Sequence, residues 1–275
     1  MKKGIDISEW QSNVDYNLLK SQGIEFAIIR CGYGKNLNQK DTCFEKHYQG
    51  LKNAGIKIGC YLYSYCESVE NAIKEAENCL NFIKGKSFDL PVFYDLEDKV
   101  TLKCGRIQIT QMAIDFCKTI ENAGYTAGIY ASLNWYKNYI DISKLSNYKI
   151  WVAEWNGKSN PSINCDYWQY SSSGKVNGIL GNVDMNYAIN DLPNNSNNEN
   201  NSYIGGDEPV RVYQNGSTIE PVYADINCTI KIGNLNKYEK CDCFGTFKNR
   251  AMVRYAVDNS TNYKIGFVKW TGGVK

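Results

Sequence analysis

Short apolar, β-rich runs recur through the first two thirds of the chain. They are Gly4–Ser8, Phe26–Gly32, Ile56–Ser64, Leu90–Glu97, Thr126–Ser132, Lys149–Trp155, Asp166–Tyr170 and Val183–Asn186. Their short apolar character and richness in Ile, Val, Tyr and Trp predict strands. Between the early runs the period changes to that of a helix: Ala72, Ala76, Leu80 and Ile83 share a stripe, as do Ile109, Ala113, Phe116 and Ile120. Gly23, Gly55 and Gly124 each follow a helical pattern and precede a strand, where a left-handed cap is expected. Repeated strand–helix units predict a parallel sheet covered by helices. Eight strands in about 190 residues predict an α/β protein built on a small, TIM-like β/α barrel. The last two strands are too close together for full intervening helices, so the barrel should be irregular on its C-terminal side. An open doubly wound sheet is the alternative, but no Gly-x-Gly-x-x-Gly loop follows the first strand.

The pattern breaks at Pro193–Ser202, where six of ten residues are Asn. A tract with nothing to bury predicts a flexible linker between residues 1–192 and 203–275. Beyond it, Val210–Tyr213, Val222–Ala224, Thr229–Ile232, Ala251–Val257 and Tyr263–Trp270 read as short strands. Turn signals at Asn215-Gly216, Asp258-Asn259 and Gly272-Gly273 separate them. Five short strands predict a small all-β domain, an SH3-like barrel or a sandwich.

Composition then narrows the chemistry. The net charge of +2 over 275 residues is too small for a nucleic-acid binder. No run of 18 apolar residues is present, so no membrane span is expected. The start, Met1-Lys2-Lys3-Gly4-Ile5-Asp6, lacks the apolar run of a secretory signal, which sets the expectation of a cytoplasmically made protein. A single histidine, His47, cannot supply a metal site that needs two, and its position on an apolar helical stripe marks it as structural. Eleven cysteines, an odd number, are expected to be mostly free buried thiols, including the Cys241-x-Cys243 pair. No metal or organic cofactor is called for.

The informative chemistry is acidic. Asp95 and Glu97 end the strand Leu90–Glu97. Side chains two apart on a strand share a face, about 6.6–6.8 Å apart at the backbone. Strand C-termini line the mouth of a β/α barrel, so both carboxyls should enter one pocket, where one holds a proton near neutrality. Asp6 closes the first strand and Asp184 lies in the last. First and last strands are neighbours in a closed barrel, so these two acids should join the pair. Among aromatic residues at the same strand ends, Tyr61, Tyr130 and Trp155 are the expected contacts for stacked sugar rings. Trp168 and Tyr170 share a face and form a further candidate. Paired carboxyls with aromatic walls point to acid catalysis on an acetal. A non-catalytic glycan-binding barrel and a peptidoglycan amidase or peptidase are the rivals, the latter disfavoured by the single histidine.

These residues resemble a known family. Gly4-Ile5-Asp6-Ile7-Ser8-x-Trp10-Gln11, Ile29-Arg30-x-Gly32-Tyr33-Gly34, Gly59-x-Tyr61, Asp95-x-Glu97, Gly128-Ile129-Tyr130, Trp168-Gln169-Tyr170 and Val183-Asp184-x-Asn186 occur in the order seen in glycoside hydrolase family 25 lysozymes. The resemblance implies a catalytic barrel over residues 1–192 that cleaves the β-1,4 bond between N-acetylmuramic acid and N-acetylglucosamine in peptidoglycan. It implies Glu97 as general acid, Asp95 as the partner carboxylate, and Asp6 and Asp184 as flanking acids. Tyr63 and Glu154-Trp155 depart from common members at subsite positions. Residues 203–275 resemble the cell-wall-binding domains of clostridial phage endolysins. That implies wall peptidoglycan or a wall polymer as partner, self-association through this domain in some relatives, and release from the host cytoplasm through a holin pore.

Overall fold

The computed structural model describes residues 1–189, 192, 211–224, 228, 230–247, 250–256, 263–269 and 273–274. Two compact units divide between Pro193 and Asn194. The Asn-rich tract and the Asp258-Asn259 turn lie outside the described residues.

The first unit is a closed eight-stranded barrel, in which β1 (Lys2–Ile7), β2 (Phe26–Tyr33), β3 (Lys57–Tyr63) and β4 (Val92–Asp95) are followed by β5 (Ala127–Ser132), β6 (Lys149–Ala153), β7 (Tyr167–Gly174) and β8 (Val183–Ala188). Helices α1 (Tyr16–Ser21), α2 (Phe44–Asn53), α3 (Val69–Phe82), α4 (Gly105–Asn122) and α5 (Leu133–Asn138) follow the first five strands. No helix joins β6 to β7 or β7 to β8, the irregularity that the close spacing predicts. Strands β1 to β7 pair in parallel. The sheet is not wholly parallel, however: β8 runs antiparallel to both β7 and β1, because a short connection can only return as a hairpin.

Alternation sorts side chains into two cores. Ala27, Ile29, Cys60, Leu62, Ile129 and Val152 face the helices, where they meet Ala72, Ala76, Ile109, Ala113, Phe116 and Ile120. Phe26, Ile28, Phe93, Tyr130, Trp151 and Tyr167 fill the barrel interior. On β1 the inward positions are Gly4 and Asp6. A Cβ at Gly4 would meet the Phe26 ring at 2.4 Å, so the absence of a side chain there lets that ring plug the barrel below Asp6. Gly23, Gly55 and Gly124 have positive φ at 79°, 65° and 91°, as left-handed caps require. His47 is fully buried and structural. Its Nε2–H donates to the Ser8 carbonyl at 3.0 Å, which leaves Nδ1 to accept from the Tyr16 hydroxyl, also at 3.0 Å.

The second unit is an antiparallel sheet of seven strands, two more than the sequence pattern suggests. They are β9 (Arg211–Gln214), β10 (Glu220–Tyr223), β11 (Lys231–Leu235), β12 (Lys240–Phe247), β13 (Arg250–Ala256), β14 (Tyr263–Lys269) and β15 (Gly273–Val274), in the order β11-β10-β14-β13-β12-β9-β15. Among the described residues its strands form one continuous all-β sheet, as expected of the small second domain. The unpredicted β12 carries a period-two signal in Cys241 and Cys243, both buried on either side of the half-buried Asp242. Gly273 pairs with Gln214 in β15 rather than making the turn that Gly272-Gly273 suggests. All eleven cysteines are free thiols.

Candidate active site

The mouth of the barrel holds a cavity of about 210 Å³ lined by Asp6, Asp95, Glu97 and Asp184. The four acids named from the sequence therefore converge. Asp95 is the last residue of β4, and Glu97 follows two positions beyond, on the same side of the extended chain. Two backbone bonds keep that exit extended: Ser64 N–H donates to the Asp95 carbonyl at 3.0 Å and Leu96 N–H to the Tyr130 carbonyl at 2.9 Å. Asp6 and Asp184 sit directly opposite each other in the β1–β8 register.

Burial and mutual repulsion raise all four carboxyls above their ordinary range. Asp95, 4% exposed, is lifted well above it by burial, then by the charges of Glu97 and Asp6. Its Oδ1 is buried and has no protein donor. Glu97 stands at the solvent-accessible rim and is raised by the packing around it, then by Asp184 and Asp98. Asp95 is buried so deeply that it is itself driven toward the neutral form, while Asp184 and Asp98 are neighbours that raise Glu97. Asp6 is lifted well above the ordinary value by burial and by Asp184. Burial also raises Asp184, against which a hydrogen bond with Asp6 works. Arg30 is the cation among the lining residues. It is bound to Glu9 and Asp41 at 2.7 Å each, and it partly offsets the burial and the neighbouring charges that raise Asp95.

Of the expected sugar contacts, Tyr61 and Tyr130 line the cavity. Trp155 stands beside it, 61% exposed, with its indole N–H donating to Gln169 Oε1 at 3.1 Å. Tyr130 donates its hydroxyl to the same oxygen at 3.2 Å. Trp168 and Tyr170 do not approach the acids; they pack with the outer, helix-facing core, because β7 alternates with Gln169 as its inward residue. Trp151 is buried in the barrel beneath the acids, its ring centroid 4.4 Å from that of Tyr130.

Several residues near the acids enter the sequence reading only within motifs or as a departure from them. Trp10 lines the cavity and is 78% exposed, carried on a 3-10 helix capped by Ser8 just beyond β1. A large apolar side chain directly after an acid-bearing strand end was its available signal. Tyr63 donates to Asp98 at 3.2 Å and packs its ring 5.1 Å from that of Tyr65, forming a wall beside Glu97. Gln169 and Asn186, noted only within motifs, are buried polar residues that both bond Asp6. Among the described residues no three His, Cys, Asp or Glu side chains are disposed to hold a metal ion.

The sequence model of the glycosyl hydrolases family 25 matches residues 5–179. The chain is 33% identical over 234 residues to an autolytic lysozyme of Clostridium acetobutylicum, an alignment covering 84% of this chain and 66% of that relative. Among solved structures it is similar to the catalytic domain of an endolysin from a Listeria monocytogenes bacteriophage, with 32% identity, a TM-score of 0.61, and coverage of 70% of this chain and 95% of that one. It is also similar to the CTP1L endolysin, whose activity is regulated by a secondary translation product, with 29% identity, a TM-score of 0.61, and coverage of 68% of this chain and 66% of that one. The chain thus spans 66% of the length of its curated relative. A match over most of the barrel, with the acids of the family pattern gathered at its mouth, makes this chain a member of glycosyl hydrolase family 25.

Proposed function

We propose that the chain is a muramidase that hydrolyses the β-1,4 bond between N-acetylmuramic acid and N-acetylglucosamine in bacterial peptidoglycan. The observation that carries this reading is the convergence of Asp95 and Glu97 with Asp6 and Asp184 in one aromatic-walled cavity. Glu97, at the rim and raised above its ordinary range, holds a proton where a glycosidic oxygen can reach it. It donates that proton as the bond breaks and positive charge develops at the sugar's anomeric carbon. Asp95 lies deeper, and its orphaned Oδ1 is suited to accept the N–H of a 2-acetamido group. Holding that group steers its carbonyl oxygen toward the anomeric carbon, a route giving retention; positioning water instead gives inversion. Tyr61, Tyr130 and Trp155 supply stacking and hydrogen bonds to the sugar rings. Residues 203–275 bind the wall and hold the barrel near its substrate, raising its effective concentration there.

The test is chemical. Wild-type protein acting on purified cell wall should release new reducing sugar ends and no new amino ends, with fragments that mass spectrometry assigns to N-acetylmuramic acid termini. Glu97→Gln should lower that release by about 10²–10⁴-fold while wall binding persists. Amino ends instead of reducing ends would move the chain to the amidase or peptidase class; full lysis by Glu97→Gln would remove Glu97 as the acid.

A further inference from the structure

Two buried amides in the acid cluster have their orientation fixed by neighbours that can only donate. An indole nitrogen offers a hydrogen and no lone pair. Trp151 Nε1 donates to Asn186 Oδ1 at 2.8 Å, and Trp155 Nε1 donates to Gln169 Oε1 at 3.1 Å. Each amide must therefore turn its oxygen to the indole and its NH2 group away from it. Both NH2 groups arrive at one atom: Asn186 Nδ2 lies 2.7 Å and Gln169 Nε2 2.9 Å from Asp6 Oδ2. Both amides are buried, so solvent does not compete for these bonds. An oxygen that accepts two N–H bonds has its lone pairs filled. A proton on Asp6 must then sit on Oδ1.

We propose that Gln169 and Asn186 are positioning residues of the hydrolytic site: held by two indoles, they confine the proton of the Asp6–Asp184 pair to Asp6 Oδ1, where it bonds Asp184 and keeps Asp184 an anion facing Glu97. This rests on the reading of Glu97 as the general acid. Asp184 is then the charge that keeps Glu97 protonated. The directions agree. Asp6 takes the proton readily, because burial and Asp184 lift it well above its ordinary value, while the bond with Asp6 works to keep Asp184 ionised. After burial, Asp184 is the first neighbour that raises Glu97. The other charged or titratable groups facing the pair are Arg30 from β2, Tyr61 from β3, Asp95 from β4 and Tyr130 from β5, and Tyr63 and Asp98 stand beside Glu97. Arg30 is held by Glu9 and Asp41. Tyr61, Tyr63 and Tyr130 are pushed well above 10 by burial, so they stay neutral. Asp95 is driven toward neutrality as well.

Gln169→Met and Asn186→Leu each remove one donor from Asp6 Oδ2. The Asp6 proton can then move to that oxygen, Asp184 loses its partner and protonates more easily, and Glu97 loses the charge that holds its proton. A general acid works only while protonated, so activity falls as pH rises through the Glu97 pKa. In both variants the basic limb of the kcat/KM profile for reducing-end release should move down by about 1 pH unit. The carbon-13 titration midpoint of the Glu97 carboxyl in the full chain should move with it. Trp155→Phe removes the indole donor and leaves the Tyr130 hydroxyl as the remaining hold on Gln169 Oε1, so it should move the limb the same way by less. A structural role for the amides would lower activity at every pH and leave the limb in place. Unmoved limbs and midpoints in Gln169→Met and Asn186→Leu overturn the proposal. If Asn186→Leu does not fold, Gln169→Met and Trp155→Phe decide it, since Trp155 is 61% exposed and its loss leaves the interior intact. If the wild type releases no reducing ends, the hydrolase reading fails by itself, and the carbon-13 midpoints of Asp6 and Asp184 still report where the proton sits.

Discussion

Replacing Glu75 by leucine should destabilise the barrel more than its distance from the acids suggests. Glu75 lies on α3, 1% exposed, behind the exit of β3. Its Oε2 accepts from Tyr94 at 2.6 Å and from Ser64 at 2.8 Å, and its Oε1 accepts the Tyr65 backbone N–H at 3.0 Å. Leucine fills the space but offers no acceptor. The Ser64 and Tyr94 hydroxyls, 2.9 Å apart, can satisfy one proton between them. One hydroxyl proton and the Tyr65 N–H remain without partners. At about 1–3 kcal/mol for each buried unsatisfied donor, and with some relief from no longer burying a carboxyl, the loss should be about 2–4 kcal/mol. For a domain of this size that lowers the melting temperature by about 4–16 °C. Glutamine can keep its oxygen on the Tyr65 N–H and offer its NH2 to the hydroxyls, which can turn to accept, so it should lose less than half as much. Guanidinium titration followed by tryptophan emission reads this directly, because Trp10, Trp135, Trp151, Trp155 and Trp168, five of the six tryptophans, belong to the barrel. Leucine and glutamine variants unfolding at the wild-type midpoint would refute the reasoning.

Three further outcomes follow from the same geometry. Asp95 has a folded pKa above its unfolded one, so its favourable contribution is full below the unfolded aspartate value and is lost as pH rises through the folded pKa. Asp95→Asn, neutral throughout, should therefore match the wild type in denaturation midpoint near pH 4 and exceed it at pH 8, with hydrolysis lost; a gap that fails to widen with pH contradicts the assignment. Gly4→Ala drives a methyl group to 2.4 Å from the Phe26 ring and should cost about 1–3 kcal/mol by overpacking, measured by the same titration. Trp10→Ala removes an exposed ring from the rim and should raise KM on wall fragments by roughly tenfold with a smaller change in kcat; an unchanged KM would take Trp10 out of the binding surface.

The barrel was legible in the sequence because its strands are short apolar runs and its helices carry clean apolar stripes, with Gly23, Gly55 and Gly124 marking helix ends. The acids were legible for the same reason: a charged residue closing an apolar strand is conspicuous at Asp6 and Asp95. What stayed hidden depended on depth rather than on pattern. Asp95 and Glu97 share a face, but only the closed barrel puts one at 4% exposure and the other at the open rim. Trp168 and Tyr170 look like ligand-binding aromatics until the register turns Gln169 inward and them outward. In the second unit, β12 was missed although Cys241 and Cys243 are expected to be buried thiols, because two apolar positions around Asp242 are too short a pattern to mark a strand.

The reversal of β8 is what completes the site. In parallel strands the mouth of the barrel collects C-terminal ends, which is how β1 presents Asp6 and β4 presents Asp95. A parallel β8 would bring its own C-terminal residue, Ala188, to that rim. Running antiparallel, β8 instead brings its N-terminal end there, and Asp184 is its second residue. The same reversal sets Asp184 across from Asp6, with Asn186 across from both Gly4 and Gln169. The missing helix between β7 and β8 is thus more than an economy of chain. A hairpin in place of a crossover is the connection that lets one short strand deliver both an acid to the rim and an amide to the carboxyl beside it.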